Sequence, residues 1–161
     1  MGIQREINEQ LDRISSAGAG SHSFSIETAG GKLDCDVSQA DSIGCAVDRL
    51  RWRTDQLNNA TADRLRQTGQ RFADRARYLL EPLAPVECDA EAGVLRMRSA
   101  PPSRDESGSR YYEVDVQRDE GVIFSRYAAR PGQPRESAPA HFTRETLGRL
   151  ADDIIESTRG D

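Results

Sequence analysis

Residues 31–53 decide the fold, and they read GKLDCDVSQADSIGCAVDRLRWR. Apolar residues alternate with acidic ones over 33–37, and with arginines over 49–53. Because successive side chains of a strand point to opposite faces, this period of two predicts two strands that each have one apolar and one charged face. A short polar stretch between them, near 41–44, is typical of a connection between antiparallel strands.

The same alternation continues outward from this pair in both directions. Phe24 and Ile26 alternate with serines, and Ala29-Gly30-Gly31 supplies a turn into the quoted stretch. Beyond it, four more strands are expected near residues 86–89, 95–98, 112–116 and 122–127. Polar, proline-containing segments at 99–110 and 131–139 are expected to be loops.

Three segments show the helical period instead. Residues 3–15 carry a narrow apolar stripe, residues 58–80 carry the longest stripe and end before Pro82, and a final helix begins at Thr143 as its N-cap. We therefore predict an α+β fold: an antiparallel sheet of about six to seven strands with helices packed on one face. The expected element order is α-β-β-β-α-β-β-β-β-α.

A single domain over residues 1–161 is expected, with the N-terminal helix 1–15 joined by a flexible linker at 16–21. The stripe of that helix has two interpretations. It docks on its own domain, or it pairs with another protein or a second copy of this chain in a homodimer. The residues concerned are Ile3, Ile7, Leu11 and Ile14.

The two halves of the chain share a pattern that indicates an internal duplication of a βββα unit. Each half has a glycine, a leucine two residues later and an apolar residue after one more polar position. From Leu33 to Trp52 is 19 positions, and from Leu95 to Val114 is also 19. The duplication is a hypothesis at this stage, because one coincidence of spacing can arise by chance.

The composition of the chain limits which partners and which cellular compartment are expected. The chain is acidic, with 22 basic against 27 acidic residues and a net charge of −5, so a phosphate-tracking surface is not expected and neither is a nucleic-acid partner. No apolar run is long enough to span a membrane, and the start has no secretory signal. Three irregularly spaced cysteines favour reduced thiols. We expect a cytoplasmic protein with no membrane partner.

Few residues indicate chemistry. Cys45, next to a loop, is a weak candidate nucleophile with His141 as its base, but nothing in the sequence brings the two together. Neither histidine has acidic or thiolate neighbours at metal-ligand spacing, so no metal site and no cofactor are expected. The two long loops carry arginines that could hold an anionic ligand or an acidic partner segment. These arginines are Arg104, Arg110, Arg130 and Arg135.

The charged faces of the predicted strands sort by sign. Asp34 and Asp36 precede Arg49, Arg51 and Arg53, and further along the chain acidic, basic and acidic strands alternate again. Opposite charges on neighbouring strands favour one register. A solvated sheet face explains such rows, and a binding surface is the alternative interpretation.

The element order, size and acidity of the chain are similar to those of the type III secretion chaperones, which dimerise and bind partner polypeptides. The resemblance is architectural and has no diagnostic motif, so no functional residue is carried over. We expect a small non-enzymatic protein-binding or adaptor domain. A small-molecule-binding α+β domain is the first alternative, and a cysteine-dependent enzyme is the second.

Overall fold

A computed structural model describes residues 2–18 and 20–160. Its helices are α1 (Ile3–Ala17), α2 (Ala62–Arg75) and α3 (Arg144–Thr158). The strands are β1 (His22–Thr28), β2 (Gly31–Ala40), β3 (Gly44–Thr54), β4 (Leu83–Asp89), β5 (Val94–Ser99), β6 (Ser103–Asp105), β7 (Gly108–Gln117), β8 (Gly121–Ala129), β9 (Glu136–Ser137) and β10 (Ala140–Thr143). Met1, Ala19 and Asp161 lie outside the described residues.

All strands join one antiparallel sheet, so the predicted α+β class is confirmed. The main order is β1-β2-β3-β8-β7-β5-β4, while β10 pairs with β3, β6 with β7 and β9 with β8. Within the described residues the sheet has ten strands, where the sequence indicated about six to seven. The extra strands form within the polar segments expected to be loops, or directly before α3, and each has at most four residues, too few for a hydrophobic period to identify it.

The three helices cover one face of this sheet. α1 packs on β1 and β2, α3 packs on β3 and β10, and α2 packs on β4, β5 and β7. The apolar side chains of the alternating strands meet them in one core, in which Leu50 and Trp52 are almost wholly buried. The Trp52 indole Nε1 donates to Thr158 Oγ1 at 3.1 Å, which satisfies its buried polar atom. The charged side chains of the strands are left on the other face, called the open face below.

The apolar stripe of α1 is buried within this chain. Its four residues, Ile3, Ile7, Leu11 and Ile14, are all at most 7% exposed, and α1 lies against α3. A Cβ on Gly148 of α3 would lie 2.9 Å from Gln4 Cγ, so the two helices approach closely there. Docking on its own domain is therefore the arrangement observed. Pairing of this stripe with a partner helix stays a prediction and requires α1 to leave α3.

The central helix is shorter than the predicted span of 58–80. Thr61 caps it, because its side-chain oxygen accepts from the Arg64 backbone N–H at 3.1 Å, and it ends at Arg75. Short 3-10 turns at Asp55–Leu57 and Arg77–Leu79 continue the apolar period on either side. The apolar stripe is therefore longer than the α-helix and extends beyond it at both ends. For α3 the expected cap is confirmed, since Thr143 accepts from the Thr146 backbone N–H at 3.1 Å.

The duplication hypothesis agrees with the strand order but not with the register. β1-β2-β3 and β4-β5-β7 both run from an edge of the sheet inward. Leu33 is the register partner of Trp52, whereas Leu95 faces Val116 rather than Val114. The shared spacing of 19 residues therefore joins different positions in the two halves, and the duplication stays a prediction.

The N-terminal helix runs to Ala17, so it includes the first two residues of the segment expected to be a linker. None of the helices in the described part of the chain is both long enough and apolar enough to cross a membrane.

Candidate functional site

The open face of the sheet carries the charge rows that the sequence indicated. In the register of β2 and β3, Asp34 is opposite Arg51 and Asp36 is opposite Arg49. On the far side of the sheet, Arg96 of β5 is opposite Asp115 of β7 in the same way. The rows are therefore neighbours in space, as their alternation along the chain predicted.

On the β5–β7 side these opposite charges form closed ion pairs. Arg96 donates from Nε and Nη2 to the two oxygens of Asp115, at 2.9 and 3.1 Å. Arg98 Nε donates to Glu113 Oε1 at 3.0 Å, and Arg135 Nη1 donates to the same oxygen at 2.7 Å. Bidentate and charge-assisted bonds of this kind hold both partners in place.

Glu113 is the most buried member of these pairs, at 4% exposure. Burial alone would raise the pKa of its carboxyl group, but hydrogen bonds from Arg135 and Arg98 outweigh burial, and the pKa lies below its ordinary value. This carboxylate is therefore ionised and occupied. The closed pairs hold together the part of the open face that lies over β5 and β7.

On the β2–β3 side the pairs are not closed. Ser23 Oγ donates to Asp36 Oδ1 at 2.8 Å, and Ser25 Oγ donates to Asp34 Oδ1, so serines of β1 hydrogen-bond to one carboxylate oxygen of each acid. Arg53 Nε lies 3.3 Å from Asp34 Oδ2. That oxygen is buried and has no hydrogen-bond partner. Both acidic side chains thus accept from β1, and Asp34 also forms an ion pair with Arg53 of β3.

Two arginines of β3 and the lysine of β2 are left without a partner. Within residues 2–18 and 20–160, Arg49, Arg51 and Lys32 form no hydrogen bond and no ion pair. Their neighbours on β8 are uncharged, since Arg49 faces Ser125 and Arg51 faces Ile123. We define the arginine row as Arg49, Arg51 and Arg53, together with Lys32 beside it. Unlike Arg96 and Arg98, most of this row is free to bind an external anion.

A groove of about 1040 Å³ follows the arginine row along β3 and β8, and a smaller cleft of about 250 Å³ adjoins it over β1 and β2. Gly121 at the start of β8 has φ +147°, and a Cβ there would overlap the carbonyl oxygen of Trp52. Trp52 and Gly121, at this close approach of β8 to β3, both line the groove. Acidic side chains lie around its end, and they are Glu27, Asp55, Asp119 and Glu120.

The loop arginines proposed from the sequence divide into two groups. Arg104 and Arg130 are exposed and unpaired in the part of the chain that the structure describes, while Arg110 lies 3.2 Å from Asp105. The strand register brings all three to the same end of the sheet. Arg135 is instead paired with Glu113, although its side chain is 35% exposed, and its guanidinium lies 3.8 Å from the centre of the Tyr127 ring.

Cys45 and His141 lie on adjacent strands but on opposite faces. In the register of β3 and β10, Cys45 is opposite Phe142 and His141 is opposite Ala46. Cys45 points into the core, where its thiol donates to the Phe142 carbonyl at 3.7 Å, and His141 is exposed. Burial raises the pKa of the Cys45 thiol to about 11. This geometry does not form a nucleophile–base pair.

The sequence predicts the arginine row as part of a solvated sheet face, with a binding surface as the alternative interpretation. The signal that separates it from Arg96 and Arg98 is the pair of serines on β1, which hydrogen-bond to the acidic row.

In the described residues, no group of three or more histidine, cysteine, aspartate or glutamate side chains could hold a metal ion. The chain matches no known protein family, and comparison with curated proteins and with solved structures found no similar protein.

Proposed function

We propose that this chain is a non-catalytic protein-binding domain that holds an acidic, extended segment of a partner against the arginine row. The observation that carries the proposal is the contrast between the two halves of one sheet face. Arg96 and Arg98 are neutralised within the chain, whereas Arg49 and Arg51 are not. Cations that have no partner in their own chain and line a groove favour an external anion.

The spacing of the row favours an extended peptide as the occupant. The arginines of the row are two positions apart on one strand, at 49, 51 and 53. The distance from one of their Cα atoms to the next is therefore about 6.6–6.8 Å. An extended peptide presents every second side chain on one side with the same repeat. A segment with glutamate or aspartate at alternate positions therefore places one carboxylate at each guanidinium, which can bind it through two parallel hydrogen bonds.

The charge distribution favours a short acidic segment over a nucleic acid. The chain has a net charge of −5, and four acidic side chains surround the end of the groove. A continuous chain of phosphates would pass close to these carboxylates and be repelled. A peptide with a few acidic side chains and neutral ends avoids them. The three free thiols, Cys35, Cys45 and Cys88, support the proposal that the protein acts in the reducing cytoplasm.

The test uses labelled peptides and two double variants that remove the same charge. Arg49→Gln with Arg51→Gln removes the free part of the row, and Arg104→Gln with Arg130→Gln removes two equally unpaired arginines elsewhere. Binding is measured by fluorescence anisotropy with a peptide that has alternating glutamates, with one of the same composition whose glutamates are contiguous, and with a glutamine version. Circular dichroism confirms that each variant is folded.

We expect the alternating peptide to bind best, and the row variant to weaken its binding by about tenfold or more, since each lost charge-assisted pair contributes about 1 kcal/mol or more. The loop variant should stay close to wild type. Equal losses in both variants, or equal binding of the glutamine peptide, would contradict the proposal. A loss confined to Arg104 and Arg130 would move the site to the loop arginines.

A second candidate function, binding of a small anionic molecule, is favoured by the size of the groove. Its volume of about 1040 Å³ is at the upper end of the usual range for ligand sites. Thermal denaturation in the presence of di- and tricarboxylates or nucleotides tests it. A shift that disappears in the Arg49→Gln, Arg51→Gln variant, without any peptide binding, would replace the first proposal by this one.

A further inference from the structure

The two edges of the sheet are built differently. The free edge of β4 contains Pro85, which has no N–H to donate, and a register shift between Pro85 and Glu87. Glu87 and Asp89 add charge to the same strand. Proline, irregularity and charge are the features by which edge strands avoid pairing with other chains. The β4 edge is thus protected in three ways.

The free edge of β1 is much less protected. Its register with β2 runs without interruption from His22↔Val37 to Thr28↔Gly31. The strand contains no proline and a single acidic residue, Glu27. α1 packs on the inner face of β1 together with β2 and leaves the edge itself unpaired. A regular, nearly neutral edge of this kind is a template for a further strand.

The hairpin turn determines which backbone groups face outward. β1 and β2 are joined through a two-residue loop between Thr28 and Gly31, so Thr28 and Gly31 form a hydrogen-bonded pair. Every second pair counted from there is a non-hydrogen-bonded pair, beginning with Glu27 and Lys32. The N–H and C=O groups of Ser23, Ser25 and Glu27 therefore point away from β2. In the structure, as far as it describes the chain, no other backbone group bonds to them.

The sequence of β1 is complementary to itself in one antiparallel register. With Ser25 opposite Ser25 of the partner subunit, Ser23 falls opposite Glu27 of the partner subunit, and the three outward pairs exchange about six backbone hydrogen bonds. No like charges meet in this register. On the inner face Phe24 falls opposite Ile26 of the partner subunit, an aromatic and β-branched pair of the kind that stabilises sheets. A shift by two residues loses one of the three outward pairs.

We propose that β1 pairs antiparallel with β1 of a second copy of this chain, with Ser25 on the two-fold axis. The axis is perpendicular to the sheet, so the helices of both copies stay on one side and both arginine rows lie on the other. Five strand spacings separate the two rows, about 24 Å. The interface is the backbone edge of β1, so the inference does not require the arginine row to bind a peptide.

The test exploits the position of Ser25 opposite itself. Ser25→Lys places two lysines opposite each other in the dimer, and Ser25→Glu places two glutamates there, while an equimolar mixture of the two variants places lysine opposite glutamate. Ser25→Ala is the matched control, because it removes the same hydrogen bond to Asp34 without adding a charge. The oligomeric state is measured by sedimentation velocity from micromolar to millimolar concentration.

We expect a concentration-dependent dimer for the wild type and for Ser25→Ala, monomers for the two charged variants at the same concentrations, and recovery of the dimer in their mixture. A wild type that is monomeric throughout the range overturns the proposal. Charged variants that dimerise as the wild type does also overturn it, because the interface then lies elsewhere. The Arg49→Gln, Arg51→Gln variant leaves β1 unchanged and should dimerise as the wild type does, which separates this outcome from the arginine-row proposal.

Discussion

Replacement of Glu113 by glutamine tests whether the ion pairs over β5 and β7 are a structural element. The carboxylate is 4% exposed and accepts from Arg135 at 2.7 Å and from Arg98 at 3.0 Å. Glutamine keeps the volume, removes the charge and turns an N–H₂ group toward guanidinium donors. Both arginines then lose a charged acceptor at once.

The size of the expected loss of stability follows from how far Glu113, Arg98 and Arg135 are buried. Breaking a fully buried ion pair costs about 3–5 kcal/mol. Here the side chains of Arg98 and Arg135 are 38% and 35% exposed, so water can solvate part of what they lose. We therefore expect the free energy of unfolding to fall by about 2 kcal/mol and the midpoint temperature to fall by about 4–8 °C.

The assay is urea and thermal denaturation followed by circular dichroism, with Glu106→Gln as the control. Glu106 is exposed and has no ion-pair partner among the described residues, so its replacement should leave stability nearly unchanged. Equal stabilities of the two variants would refute the structural role of Glu113.

Acid pH gives a second check on the same residue. The folded-state pKa of Glu113 lies below its ordinary value, so its contribution is present above about pH 4.3 and is lost as the pH falls through the folded pKa. The stability difference between wild type and Glu113→Gln should therefore be constant near neutrality and shrink in acid. A difference that stays constant at low pH would contradict this.

Three further predictions concern single positions. The Cys45 thiol, with a pKa of about 11, should react with a thiol reagent more slowly than the half-buried Cys88 in the native protein, and equal rates would mean that it is accessible. Leu80 is 89% exposed and has φ +64°, so Leu80→Gly should raise the free energy of unfolding by about 0.5–1 kcal/mol in urea denaturation. A loss of stability would contradict a strained backbone at this position. Gly69→Ala should lower the free energy of unfolding by about 1 kcal/mol, because its Cβ would lie 2.5 Å from the buried Leu95 Cδ2, and a gain in stability from helix propensity would show that Leu95 can move.

The sheet could be predicted from the sequence because its strands have one wet and one dry face. A period of two over 33–37 and 49–53 fixes which side chains face the helices, and a shift of one residue would expose them all. The cap at Thr143 can also be predicted from the sequence, since it depends on one side chain and its local backbone. The ends of α2 are harder to predict. The apolar period continues through the 3-10 turns on either side of α2, and periodicity alone does not distinguish them from α-helix.

The candidate site depended on contacts that no local pattern contains. The sequence places Arg49 and Arg96 in similar basic rows next to acidic ones. They differ in their acidic neighbours: Asp34 and Asp36 accept from Ser25 and Ser23 of a third strand, whereas Asp115 accepts from Arg96 itself. The faces of Cys45 and His141 could not be predicted, because the strand that carries His141 has only four residues, too few for its alternation to identify it as a strand.

The central claim is that the arginine row of β3 is free to bind an acidic segment while the arginines of β5 are not. The most direct measurement is a two-dimensional ¹⁵N NMR titration of the wild-type protein with the alternating glutamate peptide, observing backbone amides and arginine Nε–H groups. We predict that the signals of Arg49 and Arg51 shift with the amides of β3 and β8, and that those of Arg96 and Arg98 stay in place. Shifts confined to Arg104 and Arg130, or shifts of Arg96 and Arg98 as large as those of Arg49 and Arg51, would contradict the account.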